Sequence, residues 1–126
     1  MPGTLTVTTL SDGTNSTSAT NAIVGSAKSW INYNGSTPPV TRGSYNVSSV
    51  TRGGLGYYTV TFTTAMSDVN YSAVTSARPT ADQICCCYIS ATNMGGYLST
   101  SVPIRATVTN GPAAHDSDII NVAVNR

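Results

Sequence analysis

From Tyr57 to Thr63 the chain alternates without a break: Tyr58, Val60 and Phe62 fall on one side, Thr59, Thr61 and Thr63 on the other. A period of two marks a β-strand with one buried face. Other stretches carry the same signal. Ala27–Tyr33 holds Trp30 and Ile31, Ser44–Thr51 places Tyr45 and Val47 on one face, and Asp118–Val124 alternates Ile120, Val122 and Val124. Asn70–Ala77, Gln83–Ala91, Tyr97–Val102 and Ile104–Thr109 read as further strands, the last two divided by Pro103 at an edge or a bend. Turn signals separate them: Asn34-Gly35-Ser36 before Pro38-Pro39, the glycine-rich Arg52–Gly56, Arg78-Pro79, Asn93–Gly96 and Asn110-Gly111-Pro112. Ala65–Asp68 reads as a connection with room for one helical turn. No segment shows a 3.6-residue period. The pattern predicts an all-β domain over residues 26–126: a β-sandwich or jelly-roll-like unit of about eight short antiparallel strands.

The N-terminal residues differ. Thr4–Leu10 alternates like an extended strand, but residues 11–26 are Ser, Thr, Asn, Ala and Gly with only Ile23 and Val24 as sizeable apolar groups. Such a stretch buries too little to order itself. Residues 1–25 therefore read as an extended N-terminal arm that orders against neighbours, or as a plain flexible terminus.

Composition agrees with β structure. The chain has 126 residues, room for one domain. It has no Glu, one Lys and four Leu, so the helix-favouring residues are scarce, while Thr, Val, Ile and Tyr are plentiful. Charged residues are 9% of the chain and the formal net charge is +1. That balance gives no long-range attraction to nucleic acid or to an anionic membrane. It also gives little repulsion between copies. No basic stretch with an apolar run follows Met1-Pro2-Gly3, and no segment approaches the roughly 18 apolar residues of a membrane span, so neither a secretory leader nor an anchor is expected.

Candidate chemistry is sparse. His115 is the single histidine and sits in His115-Asp116-Ser117-Asp118. One imidazole and two local carboxylates fall short of a transition-metal ligand set, and Asp-x-Asp without the rest of an EF-hand is a weak calcium signal. A polar loop whose Asp residues cap turns accounts for it as well. No Gly-x-Ser-x-Gly elbow is present, and Arg52–Gly56 lacks the Gly-Lys-Ser/Thr ending of a phosphate loop. Cys85-Cys86-Cys87 on a strand would send Cys85 and Cys87 to one face and Cys86 to the other, poor geometry for a disulfide or a closed zinc site. Small buried hydrophobes are their expected role. Asn-x-Ser/Thr at Asn15, Asn34, Asn46 and Asn70 is compositional. Seven tyrosines stand against one Phe and one Trp. Tyrosine suits interfaces, half-exposed sheet surface and stacking on sugar rings.

Four segments carry a family likeness. Gly25-Ser26-Ala27-Lys28-Ser29-Trp30-Ile31-Asn32-Tyr33-Asn34-Gly35 resembles a Ser-Ala-Lys-x-Trp-(Val/Ile)-Asn-(Phe/Tyr)-Asn-Gly motif. Ser44–Val50 and Gly56–Tyr71 follow in order, and Ile119–Val124 is similar to the terminal strand of the same domain. The chain thus resembles a β-domain of tailed-bacteriophage virion proteins. The likeness implies a non-enzymatic part of a virion surface, made in the bacterial cytoplasm and often oligomeric, a trimer being the favoured form. It implies no cofactor and brings no catalytic residue. Only about 25 polar residues precede the domain, fewer than in long fibres, which favours a capsid decoration (cement) protein tying neighbouring capsomers together. Its partners would be other virion proteins, the major capsid protein or tail proteins, with neither nucleic acid nor membrane involved. Leu5, Val7, Leu10, Tyr33, Tyr57 and Tyr97 are the expected interface residues. The rival expectation is a tail-fibre or spike tip whose loops, at Arg52, Arg78 and Asn93, bind a host-surface glycan.

Overall fold

Eight strands form two antiparallel four-stranded sheets within the residues that the computed structural model describes, 3–79, 85–90, 96–108 and 114–126. They are β3 (Ala27–Asn34), β4 (Val40–Tyr45), β5 (Val47–Gly54), β6 (Tyr57–Phe62), β7 (Ser72–Arg78), β8 (Cys85–Ile89), β9 (Ser101–Val108) and β10 (Ile119–Asn125). The first sheet runs β4-β3-β10-β7 and the second β5-β6-β9-β8. Strand alternation decides what lies between them. Ile31 and Tyr33 from β3 and Ile120, Val122 and Val124 from β10 meet Tyr58, Val60 and Phe62 from β6 and Val102, Ile104 and Ala106 from β9. Tyr33 and Tyr58 meet edge to face at 5.3 Å in the middle of this core. The all-β sandwich anticipated from the alternation is the fold observed.

Two boundaries differ from the sequence reading. The expected strand over Ser44–Thr51 is two strands in different sheets. Asn46, at φ +54°, is the corner between them. A left-handed backbone is uncommon outside glycine, and asparagine tolerates it best. Here the side chain also clamps the corner, donating to the carbonyls of Lys28 (3.0 Å) and Thr64 (3.1 Å) and accepting from the Thr64 N–H (2.7 Å). Tyr45 and Val47 consequently do not share a face. The second difference is Pro103, which lies inside the central strand β9 rather than at an edge. Its carbonyl accepts from the Ser90 N–H (3.1 Å), so its backbone faces β8 where that ladder has already ended at Ile89. No ladder bond needs the missing proline N–H. Ala65–Asp68 is an irregular connection without a helical turn.

Residues 9–25 are not simply extended. β1 (Thr9–Ser11) and β2 (Ser16–Ser18) pair as a hairpin, and α1 (Ala19–Gly25) follows directly. Asp12 closes the hairpin by accepting from the N–H groups of Thr14 (2.9 Å) and Asn15 (2.7 Å). Ser18 caps the helix by accepting from the Asn21 N–H (3.1 Å). These three elements pack on one another outside the two sheets. Among the described residues no helix is long and apolar enough to cross a membrane.

Candidate functional site

The most connected polar group is Asp116, just before β10. Its carboxylate accepts from Arg52 Nε (3.0 and 3.1 Å) and a terminal guanidinium nitrogen (2.8 Å), the Gly56 N–H (2.9 Å) and the Tyr58 hydroxyl (2.5 Å). The Tyr58 hydroxyl also lies 2.8 Å from the Gly35 carbonyl, and its one proton serves one acceptor at a time. Burial pushes the Asp116 carboxyl up, but Arg52, Tyr58 and the Gly56 N–H outweigh it and hold it below the ordinary carboxylate value. The backbone packs closely around two sides of the cluster. A Cβ on Gly35 would stand 2.3 Å from the Tyr58 hydroxyl, and one on Gly56, at φ +68°, 2.4 Å from the Ala106 carbonyl. Both carboxylate oxygens of Asp116 accept hydrogen bonds from the protein itself. The cluster is a structural bolt joining the β5–β6 turn, the β3–β4 loop and the approach to β10.

This accounts for Arg52, which is not a free loop side chain. Arg78 is exposed at the end of β7, 3.8 Å from Asp118. Asn93, the third expected receptor residue, lies outside the described residues, as do all of residues 91–95 and 109–113. His115 donates its backbone N–H to the Ala106 carbonyl (3.0 Å), and its Nδ1 is buried with no partner among the described residues. Among the described residues no three His, Cys or acidic side chains converge. Cys85 and Cys87 turn inward and Cys86 outward, as the alternation of a strand requires. Burial raises the Cys87 thiol to about 12, with Thr75 pulling the other way, so it is no thiolate at neutral pH.

The expected interface residues divide. Leu5 (84% exposed), Val7 and Leu10 stand in solvent on the N-terminal segment, together with Ile23 and Val24 of α1. Tyr33 is fully buried and cannot contact a partner, because it shares the inner face of β3 with Ile31. Tyr57 is half-buried under Arg105, whose guanidinium lies 4.7 Å from the ring centre. Tyr97 is exposed and leans on Tyr71, centroids 4.9 Å apart.

One surface was not anticipated. The outer face of the first sheet carries two neighbouring rows. The register aligns Tyr45, Trp30, Ala123 and Val74 across all four strands, and Trp30, Tyr45 and Val74 are exposed. The adjacent row is Gly43, Asn32, Asn121 and Ser76. Asn32 Nδ2 donates to Asn121 Oδ1 (2.5 Å), and Asn121 Nδ2 to Ser76 Oγ (3.1 Å). The Trp30 ring edge lies over Gly43, 3.5 Å from where a Cβ there would stand, ordinary van der Waals contact. An open depression of about 340 Å³ is lined on this face by Trp30, Asn32, Val74, Ser76, Asn121 and Ala123. The signal was present in Trp-Ile-Asn-Tyr-Asn, where alternation sends Ile31 and Tyr33 inward and Trp30 and Asn32 outward.

Searches against protein-family models, curated proteins and solved structures find nothing that matches the chain.

Proposed function

We propose that the protein is a non-enzymatic structural component of a bacteriophage virion, a decoration protein that binds the outside of the shell and ties neighbouring capsomers together. The observation that carries this reading is the N-terminal segment. It exposes Leu5, Val7, Leu10, Ile23 and Val24, apolar groups that its own sandwich does not cover. Residues 3–7 have no regular structure, so their backbone is open to pairing. β4 and β5, joined at Asn46, are both edge strands. An edge strand offers unpaired N–H and C=O groups, and an extended segment from a neighbour adds to it as a further strand. Weak contacts of this kind, repeated by the symmetry of a shell, sum to firm attachment. The resemblance of Gly25–Gly35 and Gly56–Tyr71 to phage virion β-domains supports the same assignment. The partner is the major capsid protein, and the free form is a homo-oligomer, a trimer being favoured.

Deleting residues 1–24 and measuring occupancy on purified particles tests the reading. Occupancy is expected to fall sharply while the sandwich still unfolds cooperatively. Undiminished occupancy would sink the arm mechanism, and a copy number matching the tail rather than the capsomers would move the protein off the shell.

A further inference from the structure

We infer that the outer face of the β4-β3-β10-β7 sheet is a binding site for a neutral oligosaccharide, with Trp30 as the stacking platform and the Asn32–Asn121–Ser76 row as the hydrogen-bonding rail. This goes beyond shell attachment and uses a surface with no part in it. Three features of the face select this ligand class.

The first is the aromatic. Trp30 is the chain's single tryptophan, and it is 44% exposed in mid-strand rather than in the core. An indole on a flat sheet presents its face or edge to solvent at a fixed place, and the C–H faces of a pyranose ring are its natural complement. Val74 and Ala123 continue the apolar strip beside it.

The second is the pre-arranged polar row. Each amide is already oriented by its neighbour, which leaves Asn32 Oδ1 as an acceptor, one N–H on each of Asn32 and Asn121, and the Ser76 hydroxyl proton as free donors. Vicinal sugar hydroxyls each donate and accept, and they need that mixture at close spacing. Amides fixed on strands lose little freedom when they bind.

The third is charge. All nine residues lining the depression are uncharged, so nothing there favours an anionic or cationic ligand. Its volume of about 340 Å³ lies at the small end of ligand sites, enough for a short stretch of sugar rings. A second copy seated on this face would instead trap the free amide groups against an identical row, where each unmatched group opposes association.

The position of Trp30 makes the test direct. The full chain is titrated with hexasaccharides of β-1,4-glucose, β-1,3-glucose, mannose and N-acetylglucosamine while the emission of Trp30 is followed. A saturable change is expected with at least one of them. Calorimetry should then show Trp30→Ala abolishing binding and Asn121→Ala weakening it about tenfold or more. Tyr97→Ala, on a separate surface, should leave the affinity unchanged. Shell occupancy should survive Trp30→Ala, which separates this site from attachment. The inference is overturned if none of the four sugars gives a saturable change. Binding that persists in Trp30→Ala overturns it as well. So does a Trp30→Ala protein that sediments as a smaller species than the parent, because the face would then join copies of the chain.

Discussion

Tyr33 carries a tension that the rest of the core lacks. Its ring fills the centre of the sandwich against Tyr58, yet its hydroxyl is buried and meets no partner among the described residues. Burial accordingly drives its ionisation far above the ordinary tyrosine value. A buried hydroxyl without a hydrogen bond costs about 1 to 3 kcal/mol, while the ring around it stabilises. Tyr33→Phe keeps the ring and removes the cost. The variant should unfold at higher urea than the parent with an unchanged slope, a gain of roughly 1 kcal/mol or more. A loss of stability would show that the hydroxyl has a partner after all. Tyr58 is the opposite case, its hydroxyl held between Asp116 and Gly35. Nothing in the local sequence separates the two tyrosines, since both alternate inward on strands. The meeting of Tyr58 with Asp116 and Gly35, 58 and 23 residues away in the chain, makes one satisfied and the other not.

Elements were legible where alternation was strong. β6 and β10 could be placed from Tyr58-x-Val60-x-Phe62 and Ile120-x-Val122-x-Val124 alone, because a residue every second position is buried against the other sheet. β4 was not legible: its residues Val40–Tyr45 are almost all exposed, so no inward face writes itself into the sequence. α1 escaped for a related reason. Its seven residues bury only Ala19, and a helix that short shows no period. The pairing of Arg52 was not legible, because in sequence it stands in a glycine-rich turn and its partner Asp116 lies 64 residues away in the chain. Between elements, the corner at Asn46 decides which sheet the chain enters next. Asn46→Ala removes three side-chain hydrogen bonds and the amide that lets asparagine hold a left-handed backbone, for a loss of about 3 kcal/mol. Asn46→Gly should recover about 1 kcal/mol of it, the backbone part. Equal losses in denaturant titrations of the two variants would mean that the left-handed turn carries no strain.

At the scale of the molecule, the two sheets are tied near one end by Asn46 and elsewhere by the Asp116 bolt, which makes stability depend on acid. The Asp116 carboxyl is held below its unfolded value of about 3.9. Its contribution is therefore complete above that value and is lost as pH falls through the lower folded value. Urea midpoints should stay level down to about pH 4 and decline below it, and Asp116→Asn should be less stable at neutral pH with a shallower decline. An unchanged acid limb in Asp116→Asn would assign the decline to other carboxylates. The order of the first sheet has one more consequence, for how the molecule is made. β10 lies between β3 and β7 and pairs with both, yet it is the strand furthest along the chain. While residues 27–78 emerge from the ribosome, β3 and β7 have a gap between them that only residues 119–125 can fill. The second sheet can assemble earlier, but its apolar face has no lid until then. The sheet order therefore predicts that closure of the sandwich waits for β10, and that a nascent chain stalled before Ile119 is cut by added protease faster than the full chain.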